Sequence, residues 1–107
     1  MREIYIEMAQ ALRDGRAFAL ATVVAARGST PRKPGAKMLI FPDGRALGTI
    51  GGGCGEAEVW QEAMDLMRSN APKLITVDLT EDVEAEDRIC GGVMEILIEP
   101  VLAMEAS

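Results

Sequence analysis

The sequence contains no histidine, and this absence excludes several kinds of catalytic and metal site. Without an imidazole the chain cannot build a Ser-His or Cys-His nucleophile, and most zinc sites formed by one chain are ruled out. Its two cysteines, Cys54 and Cys90, make a poor zinc site without histidine. Two cysteines are more typical of buried or reactive thiols than of a disulfide framework, although a bridge between them stays open.

Aromatic residues and net positive charge are also lacking. Aromatic residues make up 4% of the chain and the net charge is −6. Nucleic-acid binding needs a basic face for phosphates and, for single strands, aromatic side chains on which bases stack. No apolar run approaches the roughly 20 residues of a membrane span, and the N-terminus lacks the apolar core of a signal peptide. We therefore expect a cytoplasmic protein that binds neither nucleic acid nor membranes.

What is present suits one domain covering residues 1–107, because 49% of the residues are hydrophobic. Helical periodicity predicts helices at residues 3–14, with Ile4, Met8 and Leu12 on one face, and after residue 55, with Trp60, Ala63, Met64 and Met67 on one face. Apolar or alternating runs predict five strands, at residues 17–26, 36–41, 45–50, 73–79 and 93–99.

These elements predict an α+β fold in which two helices pack on a small sheet of about five strands. The apolar run at 17–26 indicates a central strand buried on both faces, and Asp43-Gly44 indicates a hairpin. Pro100 is expected to limit the last strand. Because the hairpin is antiparallel and the crossover through the second helix permits a parallel pair, we expect a mixed sheet.

The stretch RGSTPRKPGAK, residues 27–37, concentrates positive charge in an otherwise acidic chain. Its cations and hydroxyls come from Arg27, Arg32, Lys33, Lys37, Ser29 and Thr30. Gly28 can adopt backbone angles closed to other residues, and two prolines restrict the loop. Arg32 can therefore meet a phosphate or carboxylate with parallel hydrogen bonds from a preorganised position. An anion-binding loop and a plain solvated loop both fit this composition.

The segment GGGCG, residues 51–55, directly precedes the second predicted helix. Consecutive glycines leave backbone N–H groups accessible, and a helix N-terminus favours an anion. The same position favours the thiolate form of a cysteine, so Cys54 is a candidate thiolate. The spacing matches neither a Walker loop nor a GxGxxG dinucleotide fingerprint. A tight turn is the alternative, but four glycines and a cysteine in five positions favour a functional segment.

A third candidate stretch is Cys90, Gly91 and Gly92, directly before the last strand. A buried cysteine at a strand end is the simpler interpretation of this stretch alone. Both cysteines, however, lie at glycine-rich ends of predicted elements, where binding sites of sheet proteins often lie. We therefore expect the basic loop and the two glycine-cysteine stretches to converge at one end of the sheet.

Together, GSTPRKPGAKM, IGGGCGE and CGGVMEILIEP occur in that order and resemble the N-terminal domain of the XdhC/CoxI family. The resemblance runs from about residue 10 to residue 101. Members of this family are accessory factors for molybdenum hydroxylases such as xanthine dehydrogenase and carbon monoxide dehydrogenase. Longer members continue into a Rossmann-type domain. Since no GxGxxG occurs here, we expect a stand-alone N-terminal domain.

The resemblance implies a chaperone that binds the molybdenum cofactor, molybdopterin, transiently. Such a chaperone supports sulfuration of the cofactor by a separate cysteine desulfurase and its insertion into the apo-hydroxylase. The implied cofactor-binding residues are Gly28, Ser29, Thr30, Arg32, Lys37, Gly51, Gly52, Gly53, Cys54, Cys90, Gly91 and Gly92. Cys54 or Cys90 would carry sulfur or touch the molybdenum, and Cys54 is the candidate metal contact.

We expect a binding protein rather than an enzyme, but two other interpretations stay open. The first is sulfur relay or redox chemistry through the thiols of Cys54 and Cys90. The second is an interaction module that docks a basic partner through the acidic segment 78–87, which is otherwise a solvated loop. Further expected partners are a second copy of the chain, because unpaired strand edges favour association, and a separate Rossmann-type subunit.

Overall fold

The fold is an antiparallel five-stranded sheet with one helix on each face. A computed structural model describes residues 2–28, 33–50, 55–78 and 92–102. Its elements are α1 (Arg2–Asp14), β1 (Phe18–Arg27), β2 (Lys37–Ile40), β3 (Ala46–Gly48), α2 (Glu56–Leu66), β4 (Lys73–Asp78) and β5 (Val93–Val101). The strand order is β3-β2-β1-β5-β4, so the apolar β1 is the central strand as predicted.

The predicted α+β class with two helices and about five strands is confirmed. The sheet is nevertheless not mixed in strand direction, because all four pairings between the described strands are antiparallel. The crossover through α2 connects β3 at one edge to β4 at the other edge. The two strands that could have formed a parallel pair are therefore separated by three others.

The larger core lies between the sheet and α2. Alternate residues of the strands point towards this helix, and Met94, Ile96 and Ile98 of β5 are fully buried there, as their alternation predicted. Val59, Ala63 and Leu66 form the buried stripe of α2. The predicted face was centred slightly off, because Trp60, Met64 and Met67 only flank this core.

A smaller core lies on the other face, where α1 packs over β2. It consists of Ile4, Ala11, Phe18, Leu39 and Phe41. Ala11 occupies the place predicted for Leu12, whose side chain is 55% exposed. Since α1 covers only part of this face, β1 is buried on both faces in its first half alone, and Val24 is exposed. The prediction of burial along the whole strand was wrong for this reason.

The hairpin predicted at Asp43-Gly44 is present between β2 and β3. Gly44 N–H donates to the Phe41 carbonyl at 2.9 Å, and Phe41 N–H donates to the Arg45 carbonyl at 2.9 Å. The last strand extends further than predicted, because β5 continues through Pro100 to Val101. Beyond Ile98 β5 pairs only with β1, so a residue without an N–H is tolerated there. Within the described ranges, neither helix has the length and apolar character needed to cross a bilayer.

Candidate functional site at one end of the sheet

The antiparallel topology brings the described flanks of the three predicted stretches to one end of the sheet. β1 ends where the basic loop begins, β3 ends before the glycine-cysteine segment, and β5 begins after the second glycine-cysteine stretch. Since β2 and β5 run opposite to β1 and β3, all of these chain ends point the same way. We call this the motif end, comprising Gly28, Lys37, Gly48–Ile50, Gly55–Glu56 and Gly92.

Two of the predicted site residues lie next to each other at this end. Arg27 is paired with Val93, so Gly28 and Gly92 directly follow and precede one cross-strand pair. Gly28 is exposed with φ +76°, whereas Gly92 is buried. The open end of the β1–β5 pair is therefore formed by glycine on both strands, as expected for a surface with little side-chain cover.

Lys37 lies further back on the sheet than these glycines. It pairs with Thr22, five residues before Arg27 along β1, which is roughly 16 Å at strand spacing. β2 and β3 are short, so their ends lie beside the middle of β1. The structure therefore brings Gly28 and Gly92 together but places Lys37 beside the end of β3 instead, where Gly48 pairs with Met38.

The Lys37 side chain is half-buried, and its Nζ donates to Thr22 Oγ1 at 3.4 Å. This bond holds the ammonium group against β1. An ammonium group has three N–H donors, and one long bond to a hydroxyl uses only one of them. Lys37 is therefore a positioned cation with donor capacity left for an anion.

The described part of the basic loop contains a tight turn. Ala36 N–H donates to the Lys33 carbonyl at 3.3 Å, and Gly35 has φ +99°. Pro34 followed by a glycine at positive φ is the arrangement of a type II turn. Gly35 N–H donates to Val23 O at 2.7 Å, and Val23 N–H donates to Ala36 O at 2.9 Å. The turn is thus fastened to the middle of β1.

Most of the predicted site residues lie outside the described residues. They are Ser29, Thr30, Arg32, Gly51, Gly52, Gly53, Cys54, Cys90 and Gly91. Their roles, the convergence of the three stretches and the pairing of the two thiols therefore stay predictions. The same holds for the acidic segment beyond Asp78, which ends β4.

Three residues beside the glycine-cysteine segment were missed in the sequence. Glu56, the first residue of α2, accepts hydrogen bonds through Oε2 from the Thr49 hydroxyl and, at 3.3 Å, from Ile50 N–H. Gly48 has φ +83°, and a Cβ there would overlap the Ile4 side chain and lie 2.7 Å from the Lys37 carbonyl oxygen. An acidic residue at a helix start was the one sequence signal for Glu56.

Two neighbouring clefts lie at the opposite end, where β1 begins and the β2–β3 hairpin turns. One, of about 400 Å³, is lined by α2 and the hairpin and includes Trp60 and Arg68. The other, of about 500 Å³, is lined by the hairpin and the segment before β1, and includes Phe41 and Arg45. Neither cleft is lined by a described residue of the three predicted stretches, so both concavities lie away from the sequence motifs.

The family follows from comparison with known proteins. The sequence profile of the XdhC and CoxI family matches residues 11–78, which is more than half of the chain and includes the basic loop and the first glycine-cysteine segment. The chain belongs to the XdhC and CoxI family. The resemblance seen in the three sequence motifs is thereby confirmed.

Curated relatives are considerably longer than this chain. Uncharacterized protein YqeB of Escherichia coli strain K12 is 36% identical over 96 residues, covering 89% of this chain and 18% of YqeB. Molybdenum cofactor insertion chaperone PaoD of the same strain is 39% identical, covering 62% of this chain and 21% of PaoD. A probable subunit of xanthine dehydrogenase from Bacillus subtilis strain 168 is 32% identical, covering 84% and 28%. The chain thus spans less than a third of each relative.

A solved structure shares the fold. A crystal structure described as a xanthine dehydrogenase from Bacillus halodurans superposes with a TM-score of 0.74 at 30% sequence identity. The match covers 90% of this chain and 30% of that chain. The same arrangement of sheet and helices therefore occurs as one part of a larger family member.

Proposed function

We propose that this chain binds the molybdenum cofactor and assists its insertion into an apo-molybdenum hydroxylase such as xanthine dehydrogenase. The observation that carries the proposal is family membership through motifs whose described flanks lie together at the motif end. One relative is named a molybdenum cofactor insertion chaperone, and another a probable xanthine dehydrogenase subunit. Both names concern proteins in which this domain is a minor part.

The chemistry of the motif end suits an anionic, flat ligand. The cofactor consists of a pterin, a dithiolene-bound molybdenum and a phosphate. Lys37 provides a positioned ammonium group with unused donors, and Gly28 exposes backbone at the end of β1. In the proposal Arg32, Lys37 and the hydroxyls of Ser29 and Thr30 bind the phosphate or the oxo-anionic metal. The backbone of Gly51–Gly53, with Gly91 and Gly92 opposite, lies against the pterin.

The two thiols have the remaining roles. Cys54 contacts the molybdenum or carries sulfur, and Cys90 is the second candidate. A separate cysteine desulfurase supplies the sulfur, so the chain acts as a carrier and not as the catalyst of sulfuration. When bound, the cofactor supplies an electrophilic metal with an exchangeable terminal ligand. The chain binds the cofactor, orients it and shields it until the hydroxylase takes it.

Binding of isolated molybdenum cofactor to the purified chain tests this proposal directly. Molybdenum and pterin are counted per chain for wild type, Cys54→Ala and Arg32→Ala, with Arg68→Ala as a charge-matched control at the opposite end. We expect stoichiometric binding by wild type and Arg68→Ala and at least tenfold weaker binding by the other two, since charged hydrogen bonds and metal contacts are lost. Equal binding by all four variants would place the site elsewhere, and absence of binding by wild type would refute the carrier function.

A mass measurement on the same samples separates carrying from thiol chemistry. If the chain is a sulfur relay or redox protein, the intact mass shows a persulfide or the loss of two hydrogens in a disulfide. A carrier instead shows two unmodified thiols that react with alkylating agents. A persulfide on a chain that binds no cofactor would favour the relay over the carrier.

A further inference from the structure

Glu56 connects the two elements that flank the glycine-cysteine segment. Its carboxylate lies at the start of α2 and reaches back to the end of β3, where it accepts from the Thr49 hydroxyl and from Ile50 N–H. Thr49 and Ile50 precede residues 51–54, and Gly55 with Glu56 follows them. One side chain therefore ties together both ends of this segment.

The bonding pattern of Glu56 differs from that of an ordinary helix cap. The N-cap residue is Gly55, which has φ +81° and no side chain to accept from the first turn. The Glu56 carboxylate is stabilised by the positive end of the helix dipole, yet its described hydrogen bonds go to the preceding strand. Ile50, one of the donors, is fully buried. A carboxylate bound in this way fixes the helix start relative to the sheet.

This connection matters because of what the segment is made of. Three successive glycines have more backbone freedom than any other tripeptide, so fixing them around a ligand costs the most conformational entropy. Holding the segment's ends in place before binding lowers that cost and raises affinity without a new ligand contact.

We infer that Glu56 is a positioning residue for the glycine-cysteine segment, acting through Thr49 and Ile50 to preorganise it for an anionic ligand. The inference rests on the proposed cofactor-binding function for the identity of the ligand. Glu56 does not itself touch the ligand, because its lone pairs are directed to Thr49 and Ile50 and its charge would repel an anion.

The chain offers a matched control for testing this role. Glu58 lies in the same first turn of α2 and carries the same charge, but it is exposed. Glu56→Ala and Glu58→Ala therefore remove an equal charge near the helix N-terminus, and only the first removes the connection to β3. Glu56→Gln keeps an acceptor oxygen for Ile50 and Thr49, and Thr49→Val removes one donor at nearly constant volume.

The first readout is independent of any cofactor. Amide hydrogen exchange is measured at Ile50 in each variant by NMR. We expect faster exchange in Glu56→Ala, with wild-type rates in Glu58→Ala and near-wild-type rates in Glu56→Gln. Equal exchange rates at Ile50 in the two alanine variants would overturn the inference whether or not the chain binds molybdenum cofactor.

The second readout is affinity for isolated molybdenum cofactor. We expect about tenfold weaker binding by Glu56→Ala, the order of one hydrogen bond to a charged acceptor, and recovery of most of it by Glu56→Gln. Thr49→Val combined with Glu56→Ala should bind no worse than Glu56→Ala alone, because both act through one contact. Additive losses would contradict the shared mechanism. Failure of every variant and wild type to bind would refute the proposed function while the exchange result stands.

Discussion

The two ends of the sheet are built from different materials. At the opposite end large side chains close the structure: Trp60 Nε1 donates to the Gly44 carbonyl at 2.9 Å, and the Arg45 guanidinium lies 4.4 Å from the centre of the Phe41 ring. At the motif end the described residues are mostly glycines, one positioned lysine and the Glu56 connection. Large side chains leave clefts between them, whereas glycines present backbone. Cavity volume and sequence motif therefore point to different ends.

The largest effect is expected from adding a methyl group at Gly48, at the motif end. Gly48→Ala places Cβ against the Ile4 side chain and the Lys37 carbonyl, at a positive φ that L-residues avoid. Backbone strain and overpacking together predict a loss of roughly 2–5 kcal/mol in the free energy of unfolding. Urea denaturation measures it, and cofactor binding should fall as well because β2 must move.

Gly35→Ala is the matched control for that substitution. Gly35 also has positive φ, +99°, but no atom lies within 4 Å of its added Cβ. Only backbone strain applies, so we expect a loss of about 1–2 kcal/mol. If the two variants were equally destabilised, the close approach of Gly48 to Ile4 and Lys37 would not be a constraint on the fold.

A smaller effect is expected at the opposite end, from Trp60→Phe. The substitution keeps an aromatic ring beside the hairpin and removes the hydrogen bond to the Gly44 carbonyl. We expect a loss of about 1 kcal/mol in unfolding free energy, the usual net value of such a bond, and unchanged affinity for molybdenum cofactor. Weaker cofactor binding by this variant at full folding would indicate that the clefts, not the motif end, hold the ligand.

The sequence predicted the elements well because their signals are local. Alternation in β5 identified Met94, Ile96 and Ile98 as buried, and Asp43-Gly44 identified the hairpin. The direction of β4 relative to its neighbour and the partial cover by α1 depend on tertiary packing, which periodicity does not encode. For this reason the expected parallel pair and the complete burial of β1 were not found.

The candidate site was predictable to a different degree. Clustered glycines and cysteines located the segments, but residues that support them from outside carry no motif of their own. In the sequence Glu56 resembles any first-turn acid, and only its bonds to Thr49 and Ile50 distinguish it. Lys37 belongs to the basic loop by sequence, yet the short β2 sets it back beside the end of β3. Strand length, which the sequence bounds poorly, decided that placement.

The smallest effect is expected from the ion pair between Lys73, at the start of β4, and Glu62 of α2. Their charged atoms are 3.0 Å apart, but the side chains are 51% and 30% exposed. Water and salt screen such a pair, so the coupling energy between Lys73→Met and Glu62→Gln should be below about 1 kcal/mol in a double-mutant cycle. The coupling should fall further in high salt. A larger, salt-independent coupling would mean that this contact fastens α2 to β4, so that α2 would be held at both ends, by Lys73 there and by Glu56 at the motif end.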